Sequence, residues 1–228
     1  MKVFDQEKFA QEFLDGMLFM NRLSYFQDLE DDSTGSREDK NEAIKVLWQP
    51  NNVTLRFNDI EISKNDLAGP ISVQMNRHRD ICLFCVYAAH SGDFENLSDD
   101  NIAAFRQQLK IHEDCLAFGK FAVVIGHVQT FVSRVKEAVK TYRFSMSAKL
   151  VDYYDPSHFD GTFSDQEAIF KKQIKYQYQS EFRFAINTGI PGGGPIKLFI
   201  GNIRDVACMY DVTEINNNLV INLPNMNT

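Results

Sequence analysis

The chain reads as an α+β protein, with a mixed, mainly antiparallel curved or split sheet packed by a few amphipathic helices. Three observations predict this. Strand-like segments outnumber helical ones and do not alternate regularly with them, which argues against a doubly wound parallel sheet. Of 228 residues, 44% are hydrophobic and 24% charged. That balance suits one substantial core, so residues 1–228 are read as a single globular domain. Nineteen phenylalanines, many inside the periodic segments, supply the bulk between helices and sheet.

Near the start, Asp5 can cap a short helix in which Phe9, Phe13 and Leu14 share a face, and Gly16 stands where a left-handed helix end favours a residue without a β-carbon. Met17 to Met20 reads as a strand. Ile44 to Trp48 and Val53 to Phe57 are strand-like, and Asn58-Asp59 turns the chain into Ile60-Glu61-Ile62, a hairpin. Ile81 to Tyr87 is a continuous apolar run rich in β-formers, which predicts a central strand covered on both faces. Ser98 with Asp99 and Asp100 predicts a helix start, with the helix running to about Ile111. After a strand at Phe121 to Ile125 comes the clearest helix, where Val128, Phe131, Val132, Val135, Val139 and Tyr142 keep helical spacing. Further strands are expected at Leu150 to Tyr154, Phe182 to Ile186, Ile196 to Ile200 and Val206 to Tyr210, with a short helix at Gln166 to Lys172.

Composition narrows the setting. No apolar run approaches the roughly 20 residues of a membrane helix, the longest candidate being Ile81 to Ala89, so no membrane span is expected. The first residues turn charged at once and lack a secretory pattern, and four cysteines are too few for a disulfide scaffold. A cytoplasmic location is the expectation. The formal charge of -7 is uneven, because Asp28 to Glu42 holds seven acids and two bases, leaving -2 for the rest. Nucleic acid is therefore not excluded as a partner.

That acidic segment invites a calcium-loop reading, but counting from Glu30 puts Asn41 at the twelfth position, where a bidentate Glu is needed. It reads as a solvated loop, a lid, or a surface for a basic partner. Cys82 and Cys85 lack a second pair and fall on opposite faces of an apolar strand, so they read as buried structural thiols and no metal site is expected. Gly192-Gly193-Gly194 lacks the Lys-Ser/Thr of a phosphate cradle and reads as a flexible strand connection. Basic residues at Arg77 to Arg79, along Arg134 to Lys149, and at Lys171, Lys172 and Lys175 beside Tyr176 and Tyr178 could meet phosphates or bases if they converge. His90, just past the central strand, is retained as a cleft residue.

The sharpest local pattern is Gln179-Ser180-Glu181-Phe182-Arg183-Phe184-Ala185-Ile186. On a strand, Gln179, Glu181 and Arg183 would line one side, and Ser180, Phe182, Phe184 and Ile186 the other. One reading is a half-exposed strand with a Glu/Arg pair on its wet face, and the other is a polar row facing a cleft.

Gln179-x-Glu181 on a strand is similar to the Gln/Glu-x-Glu element of ADP-ribosyltransferases. The resemblance implies an NAD-binding domain in which Glu181 stabilises the positive charge developing on the ribose as nicotinamide leaves, and Gln179 positions the acceptor. Its arginine subtype adds an early-strand Arg and a Ser-x-Ser element, to which Arg56 and Ser145-Met146-Ser147 correspond in chain order. Arg56 lacks the Gly that often follows the family's arginine. Arg56 or Arg183 would then contact the cofactor's phosphates, with Ser145 and Ser147 in the cofactor site. Phe13 to Phe26, Phe118 to Ile125 and Tyr178 to Arg183 also look like signatures of uncharacterised bacterial and mobile-element proteins. Together these imply a toxin, defence effector or modifier of a host macromolecule. The competing expectation is a non-enzymatic inhibitor, immunity or regulatory protein that uses the acidic loop 28–42 as its partner surface.

Overall fold

The computed structural model describes residues 1–28, 39–92 and 94–221. The chain begins β1 (Lys2–Phe4), α1 (Glu7–Leu14), β2 (Met17–Arg22), α2 (Leu23–Asp28), β3 (Ile44–Trp48), β4 (Leu55–Phe57), β5 (Ile60–Ile62), β6 (Ile71–Gln74) and β7 (Cys82–Tyr87). It continues through α3 (Ile102–Leu109), α4 (Glu113–Leu116), β8 (Phe121–Ile125), α5 (Val128–Thr141), β9 (Ser145–Leu150), β10 (Asp152–Tyr154) and β11 (Gly161–Thr162). Last come α6 (Asp165–Ile169), β12 (Lys171–Gln173), β13 (Glu181–Asn187), β14 (Ile196–Phe199), β15 (Ala207–Asp211) and α7 (Glu214–Asn217). The architecture is α+β, with several mostly antiparallel, unclosed sheets. No helix among the described residues is long and apolar enough to cross a membrane.

The main sheet has five strands in the order β14-β2-β7-β13-β9, every pair antiparallel, with β7 at its centre. Because side chains alternate along a strand, each of these strands divides its residues between two faces. Leu18 and Met20, Cys82 and Phe84, Phe184 and Ile186, and Leu198 point to one face. They pack against Phe13 and Leu14 of α1 and Phe131, Val135 and Val139 of α5, and onto a three-stranded sheet in the order β1-β8-β15. Each fully buried Phe or Leu there contributes about 1.5–3 kcal/mol. Leu83, Cys85 and Ala185 point to the opposite face, against Leu23, Ala43, Phe170 and Phe26. The two thiols of the Cys82/Cys85 pair thus lie on opposite sides of the sheet, and all four cysteines are free.

At the turn after α1, Gly16 adopts φ +97°, and a β-carbon there would lie 2.0 Å from the Gly201 carbonyl oxygen. The backbone approach this permits is used, since Ile200 N–H donates to the Gly16 carbonyl at 2.9 Å.

Several expectations shift. Asp5 does not cap α1; its N-cap is Gln6, with no side-chain bond. The helix expected from Ser98 begins at Ile102, because Asn101 Oδ1 accepts from the Ser98 N–H and ties residues 98–101 into a turn. The helix expected over Gln166 to Lys172 stops at Ile169, and Lys171–Gln173 instead pair in parallel with β10. Its start is well set by a capping box between Ser164 and Glu167. The Gly189 to Pro195 connection is pinned rather than loose. The buried Arg22 donates to the Ile190 and Gly194 carbonyls, and Asp80 Oδ1 accepts from Gly192 N–H at 2.7 Å.

Candidate functional site

The face of the main sheet away from the large core carries a buried cluster of charge. Glu181 and Arg183 occupy alternate positions of β13 and are 6% and 1% exposed. Arg183 Nε donates to Glu181 Oε1 and its Nη1 to Glu42 Oε1, both at 2.7 Å, and Nη1 also reaches the Ile169 carbonyl. Lys172 Nζ lies 3.3 Å from Glu181 Oε2, 3.7 Å from Glu42 Oε2 and 2.8 Å from Gln179 Oε1. Two carboxylates are thereby matched by two cations out of water, the condition under which buried charge is tolerated.

Each member is placed by local structure. Glu42 follows a turn in which Asn41 N–H donates to Asp39 Oδ1, and its own carbonyl accepts from the side-chain amides of Gln27 and Gln74, both at 2.8 Å. Lys172 is the inward residue of the short strand β12. Gln179 is not on β13, as strand alternation would require. It ends a 3-10 helix, Ile174–Gln179, and Ser180 turns the backbone through a left-handed conformation at φ 38° before the strand begins. The Gln179 amide still joins the cluster through Lys172.

Burial opposes ionisation of Glu181, but Arg183 and then Lys172 outweigh it and hold its carboxyl well below the usual carboxylate range. Burial likewise works against the charge on Lys172, yet Glu181 and Glu42 raise its ammonium above the ordinary lysine value. Asp39 behaves oppositely. It is 1% exposed and its Oδ2 accepts no hydrogen bond. Burial, then the Glu42 charge, pushes its carboxyl up to about 7. Burial and the neighbouring Glu181 charge push the Cys85 thiol up, which removes it as a nucleophile at neutral pH.

Two cavities meet at Glu181. The first, of about 640 Å³, has Glu181, Lys172 and Gln179 in its wall among aromatic residues that include Phe19, Tyr25 and Phe26. Its size lies within the roughly 300–1,000 Å³ typical of small-molecule sites, and it combines apolar walls with a few convergent polar groups. The second, of about 1260 Å³, lies past the ends of β7 and β13 and is bordered by His90, Lys110, His112, Lys171 and Tyr178 together with Glu181.

The structure brings Gln179, Glu181 and Arg183 together and leaves the other expected site residues apart. Arg56 lies on the β4–β5 hairpin, exposed and paired with Glu61 at 2.9 Å, and lines neither cavity. Ser145 and Ser147 are on β9, opposite Asn187 and Ala185, and Ser147 Oγ accepts from Gln166. They share the face of Glu181 but border neither cavity. Arg183 is committed to two carboxylates and a carbonyl, so it orders Glu181 instead of presenting donors to a phosphate. The Glu/Arg pair expected on a wet face is buried.

Glu42 and Lys172 were hidden by the sequence patterns to which they belong, an acidic run and a basic run that each read as solvated. Only Asp28 and residues 39–42 of the acidic run are described, and there Asp39 and Glu42 turn inward. The calcium-loop and docking positions at residues 30–38 lie outside the described residues. Members of the basic runs are neutralised locally: Arg77 pairs with Asp165, Arg79 with Asp28 and Arg134 with Asp205, while Lys149 and Lys171, from two different runs, meet at Asp152. Among the described residues no group of three or more His, Cys, Asp or Glu is placed to hold a metal ion. No family model, no curated protein and no solved structure matches this chain.

Proposed function

We propose that the chain binds NAD in the aromatic cavity and transfers its ADP-ribosyl group, with Glu181 as the carboxylate that faces the positive charge developing on the ribose. The observation that carries this reading is an ionised, almost fully buried carboxylate in the wall of an aromatic cavity of about 640 Å³. A carboxylate offers about four lone-pair sites, so Glu181 retains acceptor capacity for a ribose hydroxyl beside its contacts to Arg183 and Lys172. In a water-poor wall such a fixed charge acts strongly on a nearby cation, and groups of this kind are worth about 10²–10³ in rate.

Within this reading Lys172 and Arg183 position Glu181, Gln179 holds Lys172, and Phe19, Tyr25 and Phe26 offer planes for the ligand's rings. The phosphate role assigned to arginine falls instead to Lys197, which also lines this cavity. The acceptor would be a macromolecule, as for a toxin or defence effector. The test is nicotinamide release from labelled NAD, with and without cell extract, by the unmutated protein and by Glu181→Gln. The substitution should lower release at least about 100-fold while NAD still binds, with the circular dichroism spectrum unchanged. No release by the unmutated protein, or equal release by the variant, rules the reading out.

A further inference from the structure

We propose that the second cavity is a nucleobase-binding site whose stacking plate is Tyr178, a site distinct from the aromatic cavity and independent of NAD chemistry. Tyr178 and His112 form a tilted aromatic pair with ring centroids 5.1 Å apart and interplanar angle 43°, at the wall of the polar cavity. Gln107 and Gln177 also border it and bring the donor and acceptor pairs that read the edge of a base. Aromatic plates flanked by amides suit a planar, neutral, hydrogen-bonding ring. The charged groups nearby do not favour a bare polyanion: Lys171 is 3.6 Å from Asp152, and Glu181 is matched by Arg183 and Lys172.

A second observation ties this plate to the buried cluster. Tyr178 OH accepts from Gln179 Nε2 at 3.4 Å, Gln179 Oε1 accepts from Lys172 Nζ at 2.8 Å, and Lys172 reaches Glu181 at 3.3 Å. A ring that stacks on Tyr178 therefore touches the end of a four-residue polar chain leading to Glu181.

The shared ligand chemistry is the nucleobase, which could arrive on a free nucleotide or within a single strand. Equilibrium dialysis with adenosine, AMP and a short single-stranded oligonucleotide separates these sources. Binding of adenosine and AMP identifies a free nucleotide; binding of the oligonucleotide alone identifies a base in a strand. In either case Tyr178→Phe, which keeps the ring, should bind within about twofold of the parent, and Tyr178→Ala should bind about tenfold or more weakly. Should Tyr178→Ala fail to fold, His112→Ala removes an exposed ring of the same pair and should weaken binding several-fold. No binding of any probe, or affinity unchanged in a folded Tyr178→Ala and in His112→Ala, overturns the proposal. None of these measurements involves nicotinamide release, so the site can stand or fall apart from the transferase reading.

Discussion

Replacing Arg183 with Met keeps much of the side-chain volume and removes a guanidinium that is 1% exposed. The loss strands two carboxylates: Glu181 and Glu42 each give up a 2.7 Å charge-assisted bond, and the Ile169 carbonyl loses its contact as well. One ammonium, Lys172, is then left to serve both acids. Breaking a buried ion pair from one side costs about 3–5 kcal/mol. At roughly 2–4 °C per kcal/mol for a chain of this size, the melting temperature should fall by about 6–20 °C. The loss should depend on pH. In the parent, Glu181 is held below its unfolded value, so its contribution is present above the ordinary carboxylate range and is lost as pH falls through the folded value. The variant lacks most of that contribution, so the gap between the two proteins should narrow from pH 7 to pH 2, with most of the change below pH 4. Urea denaturation followed by circular dichroism at both pH values measures this. A loss below about 1 kcal/mol at pH 7, or a gap that stays constant, would refute the assignment of Arg183 as the keystone of the cluster.

Asp39 carries the opposite sign. Its folded carboxyl titrates at about 7, above the unfolded value, so its favourable contribution is present in acid and is lost as pH rises from about 4 to about 7. Asp39→Asn should therefore match the parent near pH 4 and exceed it at pH 8 by on the order of 2 kcal/mol; equal urea midpoints at pH 8 would contradict this. Among the thiols, Cys208 is exposed, Cys82 and Cys115 are buried, and burial raises the Cys85 thiol and lifts that of Cys115 to about 12. A thiol-specific dye should accordingly label one of the four cysteines rapidly in the folded protein and all of them in urea, and fast labelling of two or more would show that the sheet opens readily.

How much of this was legible in the sequence differs by scale. The central strand announced itself, because Cys82–Tyr87 is apolar at every position and only a strand covered on both faces needs that. Alternation correctly placed Phe184 and Ile186 opposite Glu181 and Arg183. It could not tell whether the polar face was wet or buried, since that depends on Glu42 and Lys172, which arrive from other parts of the chain. The acidic and basic runs misled for the same reason. A charged residue in a run is usually solvated, and Asp39, Glu42 and Lys172 depart from that pattern only because tertiary packing brings opposite charges together. Strand β9 escaped notice although Met146 and Ala148 alternate with Ser145, Ser147 and Lys149, because its serines were read as a motif. Arg56 shows the limit of chain order as a guide: its strand sits in a separate hairpin, so the right sequence position did not give the right place in space.

The order of the main sheet bears on how the protein is made. Strand β2 is synthesised well before β14, with which it pairs on one side, since its partner residues lie roughly 180 positions later in the chain. At about 5–20 residues per second, β2 waits roughly ten to forty seconds for that neighbour. Lys172 and Arg183 emerge only shortly before it, so Glu42 also waits through well over a hundred residues for its countercharges. Such distant pairings make folding slow, because loop closure must precede the contacts that reward it. In the interval the apolar face of β2 has only α1 and the early strands for cover, and the nascent chain is at its most vulnerable to mispairing.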